Sequence, residues 1–297
     1  MKQLVEQSDG KVLVAGWFDT FAGSPHPKIV RLMADGSVDP GFNPPTFDAV
    51  YGLWSKPLLV AGGKRLIGGD FTSIHGSASL GFARLNSDGT LDSTFQPSGF
   101  IRVTGSAIRA VALQSDGKIV LAGRFQLSSP TRRVPLFRLN SNGAADTSFA
   151  YPIQTTAYDL AVRPNDKLVA AILGTSFVAG SIYQFAADGS PDTPFQNPHF
   201  WDFQSSAQIN MGTPYSIGLL PDGRVLASGA FTDAVETDPP RQHFGAARFN
   251  IDGSVDPTLV DFAKTGYSAP PQPFRQRPDH STLAAFGPPV EPLNPSN

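Results

Sequence analysis

One phrase returns five times along the chain, and no other feature limits the possible folds as tightly. An aliphatic run ends in an aromatic, and a loop follows. Next come a short strand carrying Arg or Gln, an Asp-Gly type of turn, and an Asp-x-x-Phe close. It reads VLVAGWF then VRLMADGSVDPGF from Val12, RLIGGDF then ARLNSDGTLDSTF from Arg65, and IVLAGRF then FRLNSNGAADTSF from Ile119. It returns as LVAAILG then YQFAADGSPDTPF from Leu168, and as VLASGAF then ARFNIDGSVDPTL from Val225. An internal period of about fifty residues means stacked copies of one supersecondary unit, so the repeat fixes the architecture ahead of any composition argument.

Within the third copy, 107–114 reads as a first strand, Asp116-Gly117 as its turn, 118–125 as a second strand, 135–140 as a third, and 144–149 as a short fourth. Asp-Gly and Asn-Gly pairs suit the positive φ angles of tight hairpin turns. One unit is thus predicted to be a four-stranded antiparallel meander. The second strands are apolar or small at nearly every position where a half-exposed strand would alternate, so both faces need cover. Face-to-face packing of successive sheets supplies it. Small pairs such as Ala15-Gly16 and Gly68-Gly69 permit close approach, and Phe18, Phe71, Phe125 and Phe231, with Phe42, Phe95, Phe149 and Phe195, fill the wedges. Radial repetition of such sheets is an all-β β-propeller.

The units run approximately 1–43, 44–96, 97–150, 151–197 and 198–260. The Pro-rich segment 261–297 holds FRQRPDHSTLAAFG at 274–287, which matches the first two strands of another copy. Five full repeats and a partial sixth are expected, with unpaired strand edges that invite pairing with missing sequence or another chain.

The phrase QSDGKIVLAGRF then FRLNSNGAADTSF closely resembles the delta-60 repeat, a predicted β-propeller repeat of large bacterial surface and secreted proteins. The fourth copy departs most: PNDKLVAAILG lacks the turn glycine, and Gln184 stands where Arg31, Arg84, Arg138 and Arg248 stand elsewhere. The resemblance implies an extracellular or cell-envelope setting and a structural or binding role, and it brings no catalytic residues. No apolar run follows Lys2, so no leader is legible, and the expectation is either a cytoplasmic chain or a piece of a longer exported one.

Composition narrows the partners. Of the 297 residues, 40% are hydrophobic and 16% charged, which argues against disorder. A net charge of −2 leaves no electrostatic footprint for nucleic acid, and no long apolar run suggests membrane insertion. Cysteine is absent, which excludes disulfides and thiolate chemistry.

A meander places the loops between second and third strands on one rim, where their unequal lengths mark the place for a glycan or protein ligand. The connection QNPHFWDFQSSAQINMGTP at 196–214 adds His199, Phe200, Trp201 and Phe203, a candidate stacking platform or, alternatively, a hydrophobic plug. Trp17, in the slot held by Asp70, Arg124 and Ala230, is a further candidate contact, whereas Trp54 reads as core. The turns Asn86-x-Asp88-Gly89-x-x-Asp92 and Asn250-x-Asp252-Gly253-x-x-Asp256 resemble half a calcium loop without its closing bidentate acid. The competing reading needs no metal: the Asp makes the turn, and the later Asp caps the strand or pairs with the nearby Arg.

The histidines His26, His75 and His243 fall in equivalent loops without ligand spacing. Glu236 with Asp70 or Asp233 is a conceivable carboxylate pair for a propeller glycosidase, without any motif to recommend it. No nucleophile elbow, P-loop or His-Glu-x-x-His appears. A non-enzymatic module is therefore expected, with a carbohydrate-active enzyme as the alternative.

Overall fold

The computed structural model describes residues 2–48, 53, 55, 58–102, 107–127, 132–150, 153–173, 180–205, 208–231, 245–256, 275–276 and 282–283. The chain divides into two compact units, Met1–Ala157 and Tyr158–Asn297.

The first unit contains three repeats. The first has β1 (Lys2–Glu6), β2 (Val12–Gly16), the paired dipeptides β3 (Thr20–Phe21) and β4 (Ser24–Pro25), and β5 (Ile29–Leu32). The second has β6 (Leu58–Leu59), β7 (Arg65–Gly68), the dipeptides β8 (Ser73–Ile74) and β9 (Ser77–Ala78), and β10 (Phe82–Leu85). The third has β11 (Phe100–Arg102), β12 (Ile108–Leu113), β13 (Ile119–Leu127) and β14 (Arg133–Leu139). Sheet orders β1-β2-β5, β6-β7-β10 and β12-β13-β14 are antiparallel meanders, and β11 extends the third along the far half of β13.

In the second unit, β15 (Ala157–Val162, its first residue being the last of the first unit), β16 (Leu168–Ile172), β17 (Gly180–Phe185), β18 (His199–Ser205) and β19 (Gln208–Met211) form one sheet in chain order. The fifth repeat is β20 (Thr213–Leu219), β21 (Val225–Ala230) and β22 (Ala246–Phe249). Within 274–287, β23 (Arg275–Gln276) pairs with β24 (Thr282–Leu283). One 3-10 turn at Ala61–Gly63 is the lone helical element among the described residues.

The expected fourth strand is not formed. In each repeat it shrinks to one bridge: Leu32↔Val38, Leu85↔Leu91, Leu139↔Ala145, Phe185↔Pro191 and Phe249↔Val255. The cause is the Asp-x-x-Phe close. Asp39 N–H donates to Arg31 O, and Phe42 N–H then donates to Asp39 O, so the backbone turns before a ladder can extend. Asp92, Asp146 and Asp192 repeat this geometry.

Both faces of the second strands are covered, as their apolar runs require. Ile67, Ala83 and Leu85 share a core with Leu13, Ala15 and Ile29 of the first repeat. Leu66 and Phe82, on the opposite face of the same sheet, join Ile119, Leu121, Phe125 and Phe137 of the third. In the second unit, Val169, Ala171 and Ile182 pack on Ile217, Val225, Ala227 and Phe249. Each fully buried Phe or Leu here contributes about 1.5–3 kcal/mol. Trp54 lies outside the described residues.

Candidate binding surface

The closing Asp of every repeat, and the Arg that four of the five carry, are engaged by the fold itself. Arg31 Nε donates to Asp39 Oδ2 at 2.7 Å, Arg84 Nε to Asp92 Oδ2 at 2.7 Å, Arg138 Nε to Asp146 Oδ2 at 2.8 Å, and Arg248 Nε to Asp256 Oδ2 at 2.7 Å. A second cation from the end of the first turn reaches the same oxygen: Lys11 and Lys64 at 2.9 and 2.8 Å, and Arg224 at 2.5 Å on Asp256. The guanidinium groups of Arg31, Arg84 and Arg138 lie 4.6–4.7 Å from the ring centroids of Phe42, Phe95 and Phe149. They also reach into the next copy: Arg31 Nη1 donates to Ser87 O and Arg84 Nη1 to Ser141 O. Lys11 beside Asp39 holds its carboxyl down at about 2, helped by the Gly41 N–H and Arg31 against the cost of burial. Burial pushes Asp92 up, but Lys64, Thr94 and Arg84 outweigh it and hold this carboxyl well below the usual range.

This geometry also accounts for the calcium-like turns. Asp88 Oδ1 accepts from Thr90 N and Oγ1, and Asp252 Oδ1 accepts from Ser254 N and Oγ. Asn86 and Asn250 donate to Thr90 Oγ1 and Ser254 Oγ. Asp92 and Asp256 are the carboxylates of the cation staples, and no cluster of three potential metal ligands occurs among the described residues. A shallow depression of about 570 Å³ lies on this turn rim at Asp222, Arg224, Asn250, Ile251, Asp252 and Ser254. Its polar groups are largely spent on one another: Arg224 holds Asp222, and Ser254 holds Asp252 and Asn250.

The opposite rim is less uniform. The loops between second and third strands at 19–28 and 72–81 carry small hairpins whose central pairs, Ala22-Gly23 and His75-Gly76, all have positive φ. At the root of the first hairpin Trp17 is 63% exposed, although its neighbours Ala15 and Gly16 are buried. The adjacent Phe18 ring sits 6.4 Å from Phe21. His26 is half-buried and His75 exposed; His243, His280, Asp233 and Glu236 lie outside the described residues.

The connection 196–214 is a β-hairpin rather than a loop. Its strand β18 pairs through Phe200 and His199 with Gly180 and Ser181, and β18 and β19 pair Trp201 with Met211 and Phe203 with Ile209. Phe200 is corrected from the ligand platform to the core: it is fully buried, with ring centroids 4.5 Å from Phe231 and 5.6 Å from Phe249. Residue alternation along a strand sets Phe200 on the opposite face from the exposed His199. His199 is exposed; the side chains of Trp201 and Phe203 lie outside the described residues.

The sequence reading missed Asp19 and Lys28, which form an ion pair at 2.7 Å beside Trp17. The available signal was a lysine in a slot filled by Gly81 and Gly245 in other copies. It also missed Arg163, which replaces the absent arginine of the fourth copy. Arg163 stands in the slot of Gln114, donates from Nε to Gln184 Oε1 at 2.5 Å, and places Nη1 on Gly223 O. Gln184 passes the bond on to Asp192.

No helix among the described residues is long and apolar enough to cross a membrane, which says nothing of strands. No curated protein matches the chain. Among solved structures it is similar to the extracellular domain of the hybrid two component system BT4673 from B. thetaiotaomicron, at 11% identity and a TM-score of 0.41. That alignment covers 95% of this chain and 36% of the other, so the chain spans little more than a third of that protein's length. Segments 7–42, 63–95, 114–149 and 220–259 match the family model described as "Domain of unknown function (DUF5122) beta-propeller". Each matched segment carries at least one Asp-Gly or Asn-Gly turn and the closing Asp described above, and the chain belongs to this β-propeller repeat family, the delta-60 repeats.

Proposed function

We propose that the chain is a non-enzymatic binding or scaffold module of a bacterial surface or secreted protein. In this reading five repeats are propeller blades, 274–287 contributes to a sixth, and the rim of second-to-third-strand hairpins presents a ligand-contacting surface. One observation carries it: the residues repeated in every copy are consumed by staples, while Trp17 occupies a fold-neutral slot and stays 63% exposed. An exposed tryptophan supplies a large, rigid apolar face at low entropic cost, which is the composition of a binding hot spot. The reading is tested by glycan-array and pull-down measurements on wild type, Trp17→Ala and Trp201→Ala. Binding lost in either variant with an unchanged melting temperature supports it. Turnover of a polysaccharide by wild type that Glu236→Gln abolishes replaces it with the enzymatic alternative.

A further inference from the structure

We infer that Trp17, Asp19 and Lys28, at the root of the first hairpin, form a subsite for a neutral carbohydrate. The inference deepens the binding role proposed above and rests on it.

Lys28 is the telling residue. It has φ 70°, in the left-handed region, where the equivalent residues of the second and fifth copies are Gly81 at φ 76° and Gly245 at φ 74°. All three carbonyls do the same work, accepting from Gly16, Gly69 and Gly229. Glycine meets this backbone demand without strain, so a lysine here is conformationally costly. Its side chain is nonetheless 7% exposed and ends on Asp19 Oδ1 at 2.7 Å, whereas the Asp19 side chain is 75% exposed. A buried, strained cation thus anchors a carboxylate that faces solvent. The same backbone is pinned by Lys28 N–H to Phe18 O at 2.7 Å and His26 N–H to Asp19 O at 2.9 Å. Asp19 is two residues from Trp17, so their Cα atoms are at most about 7 Å apart.

The chemistry of the corner selects its ligand. An anchored carboxylate accepts hydrogen bonds from hydroxyl groups, and an exposed indole face takes the C–H face of a sugar ring. Lys28 already cancels the Asp19 charge, which removes the field that would draw a cationic side chain. A neutral polyol with one apolar face fits; a basic peptide fits less well.

The test is affinity electrophoresis of the full chain through gels containing dextran, xyloglucan or laminarin, with Trp17→Ala, Asp19→Asn and Lys28→Gly run beside wild type. An oligolysine titration followed by tryptophan fluorescence runs in parallel. The expected result is retardation of wild type by at least one polysaccharide, abolished in Trp17→Ala and weakened about tenfold or more in Asp19→Asn. Lys28→Gly should lose retardation while its melting temperature holds or rises, because glycine relieves the backbone; a fall in melting temperature with retardation intact overturns the inference. If all three variants are retarded like wild type, the subsite is wrong and the binding role stands. Saturable response to oligolysine with no polysaccharide retardation likewise moves the role to a protein partner and sinks the carbohydrate assignment. No binding in either assay overturns both.

Discussion

Exchanging Arg163 and Gln184 is the sharpest perturbation the fold offers, because the third and fourth repeats solve one electrostatic problem in opposite ways. In the third, Arg138 donates to Asp146 at 2.8 Å and to Gln114 Oε1 at 3.1 Å. In the fourth, Arg163 donates to Gln184, and Gln184 Nε2 donates to Asp192 at 2.5 Å. Arg163→Gln alone strips the donor from Gly223 O and from Gln184. Two bonds with a charged donor are lost, each worth about 1.5–3 kcal/mol, partly offset by removing a buried, unpaired Nη2; the net cost should be about 2–4 kcal/mol. Gln184→Arg alone sets a second guanidinium against a buried one and should cost about 2–3 kcal/mol. The double variant rebuilds the third-repeat arrangement, with the new guanidinium free to cover Phe195 as Arg138 covers Phe149. It should lie within about 1 kcal/mol of wild type, a coupling of at least about 3 kcal/mol between two contacting sites. Urea unfolding followed by circular dichroism measures all four proteins. Additive costs in the double variant would refute the exchange.

Three further outcomes follow from the same geometry. Gly89→Ala should destabilise by about 2–4 kcal/mol, combining a positive φ with a Cβ 2.8 Å from the Phe42 ring; Gly36→Ala, with a similar φ and open space, should cost only about 1 kcal/mol, and equal denaturation midpoints would disprove the inter-repeat contact. Ser228→Ala should raise stability by about 1 kcal/mol, since its buried hydroxyl has no partner in a slot that Ala15, Ala122 and Ala171 fill; a lower melting temperature would count against it. The carboxyl of Asp39 is depressed from 3.8 to about 2, so its stabilisation is complete above about pH 4 and is lost as pH falls through 3.8 toward 2. That contribution should be about 1–2 kcal/mol after solvent screening, and Asp39→Asn should flatten the midpoint-against-pH curve across that window.

The parts of the fold that were legible are those decided by local chemistry. Asp116-Gly117 and Asn142-Gly143 form tight turns because glycine reaches positive φ, here 80° and 95°. The unbroken apolar run Ile119–Ala122 marks a strand covered on both faces, and the strand is buried there. The Arg-Asp pairing could be suspected from spacing, because the bridge after the turn brings residues eight apart to the same edge. Less legible were features set by competition between copies. The closing strand looked long enough to pair, but its Asp-x-x-Phe turn redirects the backbone to the next repeat, where Asn43 N–H finds Asp88 O. The run His-Phe-Trp-Asp-Phe read as a loop because it falls outside the repeat period, yet the edge of β17 at Gly180 and Ser181 offers it a partner.

A repeat that spends its shared charged residues on joining copies cannot also spend them on a ligand, and this constraint locates the variable chemistry. Asp92 illustrates the saturation: Lys64, Arg84 and Thr94 occupy both carboxylate oxygens, leaving little capacity for a metal or a substrate. Asp19 illustrates the opposite condition, a single anchor on one oxygen and a side chain turned to solvent. The difference arises from position in the repeat. The turn rim lies where consecutive copies must be stitched, so each polar group there is fixed by the period. Among the described residues the hairpin rim shows no such stitch at Trp17, Asp19 or Lys28, and a residue there can change in one copy without breaking a bond to the next. Individual side chains on that rim are therefore the ones free to acquire a binding role, and the strained Lys28 is the one whose presence in this slot the repeat alone does not explain.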